Sequence, residues 1–375
     1  MTLELVKRDR IPFPMGIMAL DVHVERNTAY AACMDGIYEC FVGDRGEDDK
    51  PKPKKIGAHE SYVSGISYSK INQTLVTASY DGTLHIRDIP NEPTEGEIEP
   101  RIKKRIHDFW SWDMAMSPDG RFVVSVTGQY LAGSEDYSPL PAEEPCVRIV
   151  DARTGEILHS LDMLPSVQCV AIDPSSRFVA AANLMGDIAV WEMDTGKQIS
   201  TWRTPSFTSW GIIKSHCYIG GIYAVSFSPD GEHLYAAGMG EMNDPMAGNG
   251  KQRWQRFAWK QTNVEKQMES KPDQTGEGLM EVLAWHPTGD YFAMAGRLRG
   301  GNWNIGLFSR ESGDLIGQAK TGMRITSVHF HPDGKTLLLA GMQGQPKPKE
   351  GVFPAFGYLE RYEISTVKST EDAKS

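Results

Sequence analysis

No stretch of the 375-residue chain comes near the roughly 18 apolar residues that a membrane-spanning helix needs, so no membrane partner is expected. The N-terminus, MTLELVKRDRIP, alternates apolar and charged residues and lacks the apolar core of a secretory leader, which makes cytoplasmic the default expectation. Cysteine is scarce. Cys33, Cys40, Cys146, Cys169 and Cys217 are odd in number and show no paired spacing, which points to buried free thiols rather than a disulfide framework or metal site. Basic residues are outnumbered 39 to 49 by acidic ones, leaving a formal charge of −10 and arguing against nucleic acid bound through bulk charge. Zinc-type pairs, a phosphate loop and a nucleophile elbow are also missing. Gly238-Met239-Gly240 lacks the following helix that a dinucleotide site requires. No cofactor, metal or catalytic residue is therefore expected.

What the chain has instead is a repeat. YAVSFSPDGEHLYAAGMG, from Tyr223, alternates apolar residues into a Pro-Asp-Gly turn and then continues as a second apolar run. Alternation marks a strand with a buried face, and the turn residues reverse it, so the unit is a hairpin. Clear copies begin at Asp113, Cys169, Glu281 and Thr326, and weaker ones at Ala19 and Val63. The turn prolines at 118, 174, 229, 287 and 332 are separated by 56, 55, 58 and 45 residues. All-β units of that period point to propeller blades, and seven of them form one ring.

In the second repeat the residues are specific enough to compare with a family. Ala58-His59, Ser79-Tyr80-Asp81-Gly82 and Ile86-Arg87-Asp88 stand where WD-repeat proteins have Gly-His, an Asp turn and a Trp-Asp pair. Asp151 and Trp191 match the family's Asp and Trp in later repeats. The chain thus resembles the WD-repeat β-propellers over about Ile17 to Ser365. That resemblance implies a buried hydrogen-bonded set of His59, Thr77 or Ser79, and Asp81, with Arg87 in the Trp position leaving the set incomplete. It also makes a hydrolase triad the weaker reading of this His-Ser-Asp trio.

The expectation is an all-β, seven-bladed propeller of WD-repeat type over residues 1–365, with a polar, disordered tail over 366–375. A lone strand over 2–11 precedes the first repeat, and the last repeat stops at its third strand, so the N-terminal strand is predicted to complete the last blade. Long insertions interrupt the b–c connections of blades three, five, six and seven and the d–a connection between blades four and five. All would emerge on one face of the ring, and loops on a rigid scaffold are where function concentrates. This face would gather Trp110, Trp112, Tyr130, Tyr137, Trp210, Trp303, Phe353 and Phe356, with Arg297 and Arg299 beside the acidic insertion of blade three. Tryptophan, tyrosine and arginine dominate interface energetics. The favoured reading is a non-catalytic scaffold for a protein or peptide partner, or a subunit of a larger complex. The alternative is a propeller enzyme or small-ligand binder of hydrolase or lactonase type, using the funnel mouth. For that reading the strand-a carboxylates are few: Asp21, Asp113 and Glu281.

Overall fold

The computed structural model describes residues 2–44, 51–90, 96–133, 138–209, 219–240, 250–344 and 346–367. Seven antiparallel sheets follow one another along the chain. Within the first six, the chain runs from an inner strand (a) outward to a rim strand (d). Blade one spans Ile17–His23, Thr28–Cys33, Gly36–Phe41 and Lys54–Gly57. Blades two to six repeat this order, with inner strands Val63–Ser69, Asp113–Met116, Val167–Ile172, Ile219–Phe227 and Glu277–Trp285. Blade seven consists of Arg324–Phe330, Thr336–Met342, Gly357–Thr366 and, at the rim, the N-terminal strand Leu3–Phe13. Each inner strand packs against the next, and the seventh packs against the first. The architecture is a closed seven-bladed propeller.

The closing strand is longer than the sequence implied. Leu3 pairs with Thr366 and Phe13 with Gly357, and Val367 N–H donates to Thr2 O. The expected tail therefore begins later than residue 366, and its remainder, 368–375, lies outside the described residues.

Burial explains why the inner and middle strands read as nearly continuous apolar runs. Every residue of Phe122–Val126 and of Leu234–Met239 is buried, because each blade is covered on both faces by its neighbours. Seven apolar clusters result, each built from two adjacent blades. The cluster where the ring closes joins Ile11, Phe13, Leu338 and Leu359 of blade seven to Ile17, Leu20, Val22 and Tyr38 of blade one. The a–b turns are as local as their sequences suggested. Gly120, Gly231, Gly289 and Gly334 all sit at positive φ, and each N–H bonds back to the residue before the proline. His286 and His331 hold this first turn position, and their Nδ1 atoms meet the turn residues two further on. Cys33, Cys40, Cys146 and Cys169 are buried free thiols, while Cys217 falls outside the described residues.

Candidate functional site

Six of the seven inner strands carry a bulge where pairing with strand b skips one residue, at the second or third residue in four blades and mid-strand in blades five and six. The skipped residues are Met18, Ser64, Gln168, Tyr223, Glu281 and Thr326, and Trp112 holds the equivalent place before the inner strand of blade three. A bulge re-aims a side chain. All seven line the central cavity of about 550 Å³. Because the inner strands start on the face that also carries the b–c loops, these residues form its mouth on the insertion-bearing side.

Much of the polar lining of that cavity is consumed in holding blades together. Outside that lining, Asp21 accepts hydrogen bonds from Tyr68 N–H (2.6 Å) and Ser67 Oγ (3.3 Å), tying blade one to blade two. Asp113 accepts from Val170 N–H at 3.1 Å, tying blade three to blade four. Burial pushes the Asp113 carboxyl up to about 6 despite these bonds. Glu281 forms a two-pronged pair with Arg324 of blade seven, one contact at 2.6 Å. Thr326 Oγ1 donates to Ile17 O of blade one at 2.7 Å. These carboxylates serve as inter-blade ties, and among the described residues no three His, Cys, Asp or Glu side chains gather as a metal site.

Above the mouth stands an aromatic stack. Tyr80 lies parallel to Trp110 (centroids 4.9 Å, 3°), and Trp110 to Phe109 (5.2 Å, 10°). Tyr62 tilts against Tyr80 at 5.8 Å. Trp112 meets Tyr80, Trp110 and Phe109 edge-on, at 5.4, 5.3 and 6.1 Å, and its indole N–H is fixed to Gly128 O at 2.9 Å. Trp110 remains 44% exposed and Tyr62 40%. Tyr62 and the Phe109–Trp112 segment come from d–a connections, and Tyr80 from the b–c turn of blade two. Of the stack, the sequence pointed to Trp110 and Trp112 but not to Tyr62, Tyr80 and Phe109, although Phe109 shares the short connection of those two tryptophans. Their signal was the face to which those short connections belong.

The other predicted residues divide. Phe353 is 40% exposed, and Arg297 is exposed. Tyr130 is half-buried. Trp303 and Phe356 are packed inside, at 3% and 2% exposure, and are not presented to a partner. Trp303 donates its indole N–H to Gln274 O and packs against Phe308, while Phe356 lies over Gly16. Tyr137 and Trp210 lie outside the described residues, as does the Arg299 side chain. Arg297 belongs to blade six, three blades around the ring from blade three, which carries the acidic insertion. Part of that blade-six insertion is strand, Tyr291–Gly300, whose end pairs Arg297 with Leu279 and Gly300 with Glu277.

The buried set around His59 is complete. His59 Nε2 bonds Thr77 Oγ1 (2.8 Å), Nδ1 bonds Thr83 Oγ1 (3.0 Å), and Thr83 Oγ1 donates to Asp81 at 2.6 Å. Burial alone would raise the Asp81 carboxyl, but the bonds from His59 and Thr83 hold it well below the usual range. Arg87 fills the Trp place and is 1% exposed. It donates to Thr77 Oγ1, Ala58 O and Ile98 O, supplying the missing link that the sequence reading left open. Blade three repeats the device with a substitution. His107 bonds Ser125 Oγ (2.9 Å), and Glu144, delivered by the insertion, lies 3.8 Å from His107 Nδ1 in place of a turn Asp. Both sets are packed between strands, with the His59 and His107 side chains fully buried.

The family model "WD domain, G-beta repeat" matches residues 51–88 and 208–241, the first of which holds the His59–Asp81 set. The chain is a seven-bladed propeller in which two stretches match the WD repeat. It is also similar to the U3 small nucleolar RNA-associated protein 21 homolog of Schizosaccharomyces pombe, at 24% identity over 177 residues. That alignment covers 46% of this chain and 15% of the relative. The finding corrects the cytoplasmic default, because the named relative is associated with a nucleolar RNA.

Proposed function

We propose that this propeller is a non-catalytic interaction module that docks a protein or peptide on its insertion-bearing face. The observation that carries the reading is the aromatic stack at the channel mouth. Large rings packed on one another and still exposed at Trp110 and Tyr62 offer rigid apolar area at little entropic cost. Trp112 and Gly128 fix the stack from beneath, so it is preorganised for binding. Membership of a larger assembly belongs to the same reading; the relative is named for its association with a small nucleolar RNA.

The test is affinity capture with the tagged chain and its Tyr62→Ala/Trp110→Ala variant, read by mass spectrometry and followed by affinity measurement on the captured partner. The variant loses about 2 kcal/mol or more of binding while its unfolding midpoint stays near the parent value. Equal capture by both proteins would refute the assignment of this face.

A further inference from the structure

Beside the stack lies a smaller cavity of about 190 Å³. Its walls are Phe109, Leu131, Pro141 and Ala142, and Asp108, Glu143 and Glu144 add three carboxylates. Phe109 belongs to both features, since it ends the stack and lines the cavity. The blade-three insertion shapes the far side: Ala132 pairs with Pro139, and Leu140 N–H donates to Leu131 O. From 128 to 145 this insertion holds four acidic residues and no Lys, Arg or His.

The carboxylates are not equivalent. Glu144 is committed to the fold: it accepts from Asp108 N–H and Phe109 N–H at 2.9 to 3.1 Å and lies near His107 and Arg148. Arg105 donates to His107 O. Asp108 and Glu143 are exposed, and among the described residues neither side chain has an ion-pair partner. A site with an apolar throat, an aromatic wall and two unpaired carboxylates suits one kind of side chain. It must have an aliphatic stem to lie along Leu131, Pro141 and Ala142 and a cationic head to meet Asp108 and Glu143. A cation there also gains from the neighbouring ring. The alternatives fit less well: an acidic group would face like charge, and a purely aliphatic one would leave both carboxylates unanswered.

We infer that the docked partner is a basic peptide segment whose lysine or arginine side chain enters this cavity beside Phe109. The inference rests on the docking reading above and adds the chemistry of the partner. The chain's net charge of −10 favours the same class of partner at long range.

The experiment pans a random twelve-residue peptide display library on the full chain, on Asp108→Asn/Glu143→Gln and on Tyr62→Ala/Trp110→Ala. Enriched peptides are then synthesised and titrated by fluorescence anisotropy, and unfolding midpoints verify that both variants fold. The expected result is enrichment of peptides with one required lysine or arginine. Replacing it by alanine, or using Asp108→Asn/Glu143→Gln, weakens binding by about tenfold or more, with strong salt dependence. Peptides that need Trp110 but no basic residue, and bind Asp108→Asn/Glu143→Gln as tightly as the parent, would overturn the inference and leave the docking face standing. Peptides indifferent to the Tyr62→Ala/Trp110→Ala change would overturn both.

Discussion

Phe13→Ala is the sharpest probe of how the ring is held. Phe13 is fully buried and sits in the apolar cluster that joins the last blade to the first. Its ring meets Tyr38 of blade one edge-on at 6.0 Å. Truncating a buried phenylalanine costs about 3–5 kcal/mol through lost transfer energy and the cavity left behind. The cost should fall on the one interface whose two blades are linked along the chain only through the pairing of the closing strand. With a urea m-value of about 3 kcal/mol/M, the midpoint should drop by roughly 1–1.7 M. Arg8→Ala is the matched control, because it removes an ion pair to Glu363 from the same strand pair. Both partners there are about half exposed (51% and 48%), so the control should cost less than about 0.5 kcal/mol. Equilibrium urea unfolding followed by tryptophan fluorescence and far-ultraviolet circular dichroism reads both variants. Coincident midpoints for the two variants would refute the argument that apolar burial, and not the rim, fastens the ring.

Gly82→Ala should cost more than about 2 kcal/mol and disturb the aromatic stack, because Gly82 has φ +77° and an added Cβ would lie 2.2 Å from His107 O. Thermal unfolding and near-ultraviolet circular dichroism check it, and a parent-like spectrum and midpoint would count against the geometry. Acid should weaken the fold through the stacked pair His59 and His85, whose rings lie 3.7 Å apart. Burial, then the neighbouring His59 and Arg87, pull His85 down to about 3, and burial also lowers His59. With folded values below an unfolded value of about 6.5, the native state binds fewer protons, so stability held above pH 6.5 is lost as pH falls toward 3. Asp113 acts with the opposite sign. Its raised value gives stability that is full below about 3.9 and lost as pH rises through about 6. Urea midpoints between pH 7.5 and about 4.5 should fall for the parent and fall further for Asp113→Asn, while His85→Gln flattens the slope; an unchanged slope in His85→Gln would contradict the assignment.

The parts of this molecule that were legible in its sequence are those that local chemistry dictates. Pro118, Pro174, Pro229, Pro287 and Pro332 each mark a turn that needs no distant residue, and their spacing gave the repeat. Closure by the N-terminal strand followed from counting strands. What a residue faces, by contrast, depends on packing between segments far apart in the chain. Trp303 and Trp110 are the same residue type on the same side of the ring, yet one fills an inter-blade core and the other stands in solvent. The insertion around Arg297 read as a loop because of its glycines, but it continues a strand by pairing with residues 277–279. Arg87 looked like a defect in the family pattern until its guanidinium was seen bonding Thr77 and two carbonyls. Glu144 could not be assigned to His107 at all, because 36 residues of intervening chain hide the pairing.

The rim strand of blade seven also dictates an order of events. Leu3 is made more than 360 residues before its partner Thr366. Until that segment emerges, the apolar side of Ile11 and Phe13 has no permanent neighbour, and the nascent chain carries an unfinished arc of blades. Such a chain invites chaperone holding or early trapping, and it pays the loop-closure entropy of the whole ring in its last step. The same pairing sets Leu3 and Thr366 side by side, so a short linker could join residues 2 and 367 while new ends are opened at the Gly231 turn. A chain rearranged in this way would contain the same blades, but its final stitch would fall within blade five.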